Sequence, residues 1–222
     1  MTQPVLLLAS NSPRRRELLA LGGWEFSVRP AEVDESPLPG EAPDRYVLRL
    51  AESKALACAR NDSPAALILA ADTTVSIDGD LLGKPADDQE AVGMLLRLRG
   101  RSHQVYTGIA LLRPSDGKLE RELCTSEVPM RNYSDAEIEA YVASGDPLDK
   151  AGAYAIQHAG FHPVENFQGC FASVMGLPLC HLQRGLNGYG LLPALDLSAA
   201  CQTHLHYVCP ISAAILAGED AG

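Results

Sequence analysis

An apolar run, Val5 to Ala9, is followed at once by Ser12-Pro13, and that order predicts a buried strand feeding a helix that ends at Gly22-Gly23. Ser12 supplies the N-cap hydroxyl and Pro13 the first helical position. A second helix is predicted from about Asp44 to Arg60, with Val47, Leu50, Ala51, Ala55 and Cys58 on one stripe and a break at Asn61 to Pro64. Ala66 to Ala71 is the short continuous apolar run of a buried strand, and Thr73 to Ile77 extends it with β-branched residues to an Asp78-Gly79 turn. Asp87 to Leu98 puts Ala91, Met94, Leu95 and Leu98 on one helical face, with Gly100 as a stop. Val105 to Leu112 and Leu119 to Val128 form a hairpin around Pro114 to Gly117. Ser134 and Glu137 make a capping box that opens a helix running to Gly145, and the Asp149 to Gln157 segment follows.

Strands and helices alternate throughout, which predicts an α/β domain with a mixed sheet lining a cleft. No repeat, low-complexity linker or composition break divides the 222 residues, so a single domain with two lobes is expected. With 46% hydrophobic and 21% charged residues the balance is that of a globular protein. Val5 to Ala9 is too short for a membrane span or a signal-peptide core, so no membrane association is expected. A net charge of −10 argues against a general nucleic-acid binder, and leaves any phosphate binding to a local basic cluster. Six cysteines without a CxxC pair read as reduced thiols of a cytoplasmic protein, with Cys58, Cys124, Cys170 and Cys180 as small core residues.

The first candidate chemistry is Arg14-Arg15-Arg16 in the first turn of a helix, where cations are disfavoured unless an anion arrives to balance them. A triphosphate is the obvious anion, and surface pairing of Arg15 or Arg16 with Glu17 is the alternative. Lys54 falls on the apolar stripe of its helix and either needs a buried partner or snorkels to the surface. Asp72 ends the Ala66 to Ala71 run, where a carboxylate faces a ligand crevice, ligating a metal or orienting water, or else caps the turn into Thr73-Thr74. Glu32, Asp34 and Glu35 form an acidic loop that is either a set of Mg²⁺ ligands or plain solvated charge. Gly79 to Lys84 fails as a P-loop, because the glycines are one residue too close and Pro85 replaces the Ser or Thr. Gly185, Gly188 and Gly190 have the wrong spacing for a dinucleotide fingerprint.

In series, Ser10-x-Ser12-Pro13-Arg14-Arg15, Glu32-Val33-Asp34-Glu35, Lys54-Ala55, Ala71-Asp72-Thr73, Gly83-Lys84-Pro85 and Asp149-Lys150-Ala151-Gly152-Ala153-Tyr154-Ala155-Ile156-Gln157 resemble the Maf family over about Val5 to Leu186. These are nucleotide pyrophosphatases with an elongated α/β fold related to the inosine triphosphatases. The resemblance implies an elongated mixed sheet with flanking helices and a central cleft, Asp72 as the base, and phosphate contacts from Ser10, Ser12, Arg14, Arg15, Lys54 and Lys84. It also implies substrate selection by Arg14, Thr73 and Gln157, a Mg²⁺ or Mn²⁺ ion with Glu32 and Asp72 as its ligands, and a homodimer. Ser-Pro-Arg-Arg with Ile156-Gln157 looks like the branch acting on dTTP and UTP, with a housecleaning hydrolase of modified nucleotides and a nucleotide-binding regulator of septum formation as rivals. His158 stands where the family usually has Gly. A domain over 1–192 is expected, with 193–222 as an extension carrying Cys201-x2-His204-x-His206-x2-Cys209, whose spacing matches no standard zinc site.

Overall fold

The computed structural model describes residues 6–59, 67–219 and 221–222, so Val5, Arg60, Ala66 and the break at Asn61 to Pro64 lie outside the described residues. Strand β1 (Leu6–Leu8) leads through helix α1 (Pro13–Ala20) to β2 (Phe26–Val28), which lies parallel to it. Helix α2 (Pro43–Ala59) then crosses to β3 (Leu67–Ile77), parallel to β1 on its other edge. Both crossovers are helical, as parallel neighbours require. From there the sheet turns antiparallel: β4 (Asp80–Leu82) folds back on the far end of β3, and after α3 (Asp88–Leu98) come the long hairpin strands β5 (Ser102–Arg113) and β6 (Lys118–Pro129). The order is β2-β1-β3-β5-β6, with β4 paired to β3 beyond the reach of β1.

Both faces of this mixed sheet are covered, which is why its central strands read as continuous apolar runs. Leu7, Ile68, Ala70, Ala110 and Leu112 pack under α2 against Ala51, Ala55 and Cys58. Leu6, Leu8, Leu69, Ala71, Ile109 and Leu111 face the larger core, shared with α3, α4 (Asp135–Val142), α5 (Phe171–Val174) and α6 (Leu179–Asn187). The predicted inward face of α3 is the buried one, Ala91, Met94, Leu95 and Leu98, and the capping box of Ser134 and Glu137 is formed in both directions. Beyond α6, α7 (Leu197–Leu205) and α8 (Ser212–Leu216) dock on α6, anchored by Leu197, Cys201 and Ile215. Among the described residues no helix is long and apolar enough to cross a membrane.

Asp72 corrects one expectation. It does not end a strand: β3 runs unbroken through it, with Asp72 paired to Gly108 of β5. A carboxylate can sit there because β1 stops pairing at Leu69 and β4 begins at Val75, which leaves 70–74 with an open edge. That unpaired stretch, not a strand end, is where the sheet gives access to a ligand.

Candidate active site

The open edge of β3 forms the floor of a cleft of about 600 Å³, within the size range of small-molecule sites. Period-two alternation sends Asp72 to the face of Ile68 and Ala70, under α2, and Thr73 to the opposite face. The two neighbours therefore reach opposite walls of one cleft. Around them the loop after β1 brings Ser10 and Ser12, the first turn of α1 brings Arg14 and Arg15, and the loop after β2 brings Glu32. Lys54 comes from α2, Lys84 follows β4, and Gln157 closes the far side. All of these line one cavity, whereas Asp34 of the acidic loop and Arg16 do not.

On the α2 wall, Asp72 and Lys54 are both buried and joined, Nζ to Oδ1, at 2.6 Å. The stripe position of Lys54 is thus explained by a buried partner. A second acid, Glu35, reaches the same Nζ at 2.7 Å, so the lysine bridges two carboxylates. Burial raises the Asp72 carboxyl above its ordinary value, and the charges of Lys54 and Arg15 pull it back. Sequence reading put Glu35 in the acidic loop without singling it out. What places it is the Tyr46 hydroxyl, which donates to the Glu35 carbonyl at 2.9 Å and fixes the loop against α2.

The arginines are not equivalent. Ser12 caps α1 by accepting from Arg15 N, so the helix start is as expected. The Arg15 guanidinium is inward and bonded through all three of its nitrogens. It donates to the Gly176 carbonyl (2.9 Å), to Thr73 Oγ1 (3.2 Å) and to Ser10 Oγ (3.3 Å), and burial lowers its pKa while Asp72 opposes the shift. Arg14 is looser, at 3.6 Å from Asp149. Arg16 is exposed and does not line the cleft, so two of the three cations face an incoming anion. Glu17 pairs with neither Arg15 nor Arg16 but with His204 of the tail, at 2.9 Å.

On the opposite wall, Thr107 donates to the Ser173 carbonyl and shares a 2.9 Å hydrogen bond with Thr73, so Thr73 is held by both β5 and Arg15. The 149–157 segment lines the cleft on both sides of Gly152, whose left-handed φ of 69° disfavours a side chain and where an added Cβ would stand 3.0 Å from Val75 Cγ2. Its amide donates to the Gly83 carbonyl at 3.0 Å, tying the segment to the loop that carries Lys84. Lys150 had no role assigned from sequence, yet it is buried, with Nζ bonded to Asp149 Oδ1 (2.6 Å), the Asp146 carbonyl (2.6 Å) and Asp146 Oδ1 (3.0 Å). Asp149 thereby joins Arg14 to Lys150. The signal available in the sequence was a lysine inside an Ala-Gly-rich stretch. His158 does not line the cleft: its ring packs on Tyr141 at 4.7 Å and accepts from Phe161 N at 2.9 Å.

The carboxylates that share the cavity, Glu32, Glu35, Asp72 and Asp149, offer oxygen donors, which suit Mg²⁺ or Mn²⁺. The tail residues do not form a zinc site. His204 turns to Glu17, Cys201 is buried in α7, and among the described residues no three His, Cys, Asp or Glu side chains are grouped to hold a metal.

The family model of Maf-like protein matches residues 5–189. The chain is 44% identical over 192 residues to a dTTP/UTP pyrophosphatase of Dehalococcoides mccartyi, covering 86% of this chain and 85% of that protein. It is 51% identical over 178 residues to a dTTP/UTP pyrophosphatase of Myxococcus xanthus, covering 80% and 88%. Among solved structures, the Ham1 protein of Staphylococcus aureus aligns with a TM-score of 0.48 at 15% identity, covering 83% of this chain and 99% of that one.

Proposed function

This chain belongs to the Maf-like protein family, and from that premise we propose that its cleft hydrolyses dTTP and UTP to the monophosphate and pyrophosphate. The observation that carries the reading is Asp72: a buried carboxylate, raised by desolvation, joined to Lys54 and facing Arg15 on the floor of a cation-lined cavity. A base must bind the proton of an attacking water, and burial moves Asp72 toward the range where a carboxylate does so. Arg14 and Lys84, the cleft cations without a buried partner, are the groups free to take up phosphate oxygens. Arg15 is held by Gly176, Thr73 and Ser10, so it positions Thr73 and adds positive field to the cleft.

Water attack with pyrophosphate departure needs placed charge and one base, and no covalent nucleophile. Glu32 and Asp72 would hold a Mg²⁺ or Mn²⁺ ion, which supplies neutralisation of the phosphate oxygens when bound. Gln157, exposed on the cleft wall, offers an amide donor and acceptor that match the N3–H and O4 edge of thymine or uracil. The same reading makes the enzyme a cytoplasmic homodimer, for which light scattering on the purified chain is the check.

A panel of dTTP, UTP, CTP, ATP, GTP and 7-methyl-GTP with separate pyrophosphate and orthophosphate readouts tests the activity. Pyrimidine substrates carrying O4 should exceed purines by about tenfold or more, because a bound base covers the Gln157 amide, and a mismatched edge then leaves it unpaired. Gln157→Glu should narrow that ratio, and EDTA should stop turnover until Mg²⁺ or Mn²⁺ is restored. Preference for a purine overturns the base assignment, and release of orthophosphate alone overturns the activity.

A further inference from the structure

Four of the six cysteines, Cys170, Cys180, Cys201 and Cys209, meet at one crevice between α5, α6 and the tail, which shares no lining residue with the cleft. Its volume of about 10 Å³ is room for one water-sized molecule. Cys170 and Cys209 both line the crevice, and the buried Cys124 is the other sulfur next to Cys170. Of these two neighbours Cys209 is the one a small oxidant can reach, because it is only partly buried and is faced by the N–H groups of Ile211 and Ser212, whereas Cys124 is wholly enclosed. The two backbones that carry this sulfur pair are tied together. The Tyr207 hydroxyl donates to the Phe167 and Gly169 carbonyls just before Cys170, and the Tyr207 ring packs on Phe167 and Phe171. Cys209 N donates to Gln202 Oε1 at 3.0 Å, and Ser212 Oγ donates to the Cys209 carbonyl.

We propose that Cys209 and Cys170 form a peroxide-reactive dithiol, in which Cys209 is oxidised first and Cys170 closes it to a disulfide that fastens the tail to α5. The Cys209 thiolate attacks hydrogen peroxide: an S–O bond forms, the O–O bond breaks, and hydroxide leaves and is protonated. The Cys170 sulfur then attacks the Cys209 sulfenic acid: the S–S bond forms, the S–O bond breaks, and water departs with the Cys170 proton. Two thiols are oxidised and one peroxide is reduced, which balances the step. The same contacts that lower the pKa of Cys209 favour its thiolate, the form that reacts.

Reduced full-length protein is titrated with hydrogen peroxide, and its thiols are counted by alkylation, weighed by intact mass and mapped by digestion. The expected result is a fall from six free thiols to four, a mass lower by two hydrogens, and a crosslinked peptide pair containing Cys170 and Cys209. Cys209→Ser should abolish the crosslink, and Cys170→Ser should leave a sulfenic acid on Cys209 that dimedone traps. In the unsubstituted protein Cys209 should be alkylated about tenfold or more faster than Cys180 or Cys201. Closing a loop of about 40 residues should raise the melting temperature of the oxidised form by several degrees. Six surviving thiols, a crosslink to a different cysteine, or equal alkylation of Cys209 and Cys180 overturns the proposal.

Discussion

Helix α2 lies so close over β5 that a single methyl group at Gly108 should disturb both the fold and the buried Lys54–Asp72 pair. A Cβ at that position would stand 2.8 Å from the Val47 carbonyl carbon and 2.9 Å from Leu48 N and Val47 O. These are backbone atoms, so no rotamer change relieves the clash. In Gly108→Ala the helix has to retreat until 2.8 Å becomes the 3.4 Å of ordinary contact, a movement of about 0.6 Å. Gly108 is the β5 partner of Asp72, and Lys54 sits two turns further along the same helix. If α2 moves as a rigid rod, the 2.6 Å Lys54–Asp72 bond lengthens to about 3.2 Å, beyond the range of a strong charge-assisted hydrogen bond. Overpacking of this kind costs about 1–3 kcal/mol, which for a chain of this length lowers the melting temperature by about 2–12 °C. Turnover should fall about tenfold, since Asp72 loses part of its positioning. Gly93→Ala on α3 is the control: nothing lies within 4 Å of its added methyl, and removing a helical glycine should stabilise by about 0.5–1 kcal/mol. Thermal unfolding and pyrophosphate release are measured on both variants. A Gly108→Ala protein that melts within about 1 °C of the parent refutes the close seat of α2. One that melts early but turns over normally refutes its coupling to Asp72.

Asp72→Asn keeps the shape but removes the proposed base, and kcat should fall about 10² or more with the circular dichroism spectrum unchanged; turnover within tenfold of the parent would exclude the base role. His103 is buried, its Nε2 lies 2.8 Å from the Tyr154 hydroxyl, and burial pushes its pKa down to about 4. Because the folded value lies below the unfolded 6.5, its contribution to stability is complete above pH 6.5 and is lost as the pH falls to about 4. The loss amounts to about 3 kcal/mol. His103→Gln, which can still pair with Tyr154, should flatten that decline in denaturant unfolding measured from pH 7 to 4. An equal decline in both proteins would assign it elsewhere. The carboxylates held low by arginines, Glu41, Asp116 and Glu137, each at about 2, keep their charge through most of that window and should contribute only near its acid end and below it.

What the sequence determined by itself is whatever depends on short spacing. The Ser12 and Ser134 caps, the inward stripes of α2 and α3, the two-sided burial of β1 and β3, and the hairpin of β5 and β6 all follow from periods of 3.6 and 2 and from turn residues. The arginines of α1, Lys54 and Asp72 were legible for a related reason, since charges set on an apolar stripe, within an apolar strand or at a helix start have no local partner and signal a distant one, while Ser10, Thr73, Lys84 and Gln157 were implied by the family resemblance. Which partner each of them finds was decided only by tertiary structure. Lys54 and Asp72 are 18 residues apart, and Arg15 and Gly176 are separated by 161. β2 is three residues long and half exposed, so it carries no pattern of its own and exists because β1 offers an edge. Asp72 reads as a strand end in sequence but is mid-strand, because the cleft arises where β1 stops and β4 has not begun. The choice of Glu35 for Lys54, the loss of Arg16 to the solvent and the link of Asp149 to both Arg14 and Lys150 likewise follow from how the loops lie across the sheet. Ion pairs and edge strands are set by the path of the chain in space, and no local period records that path.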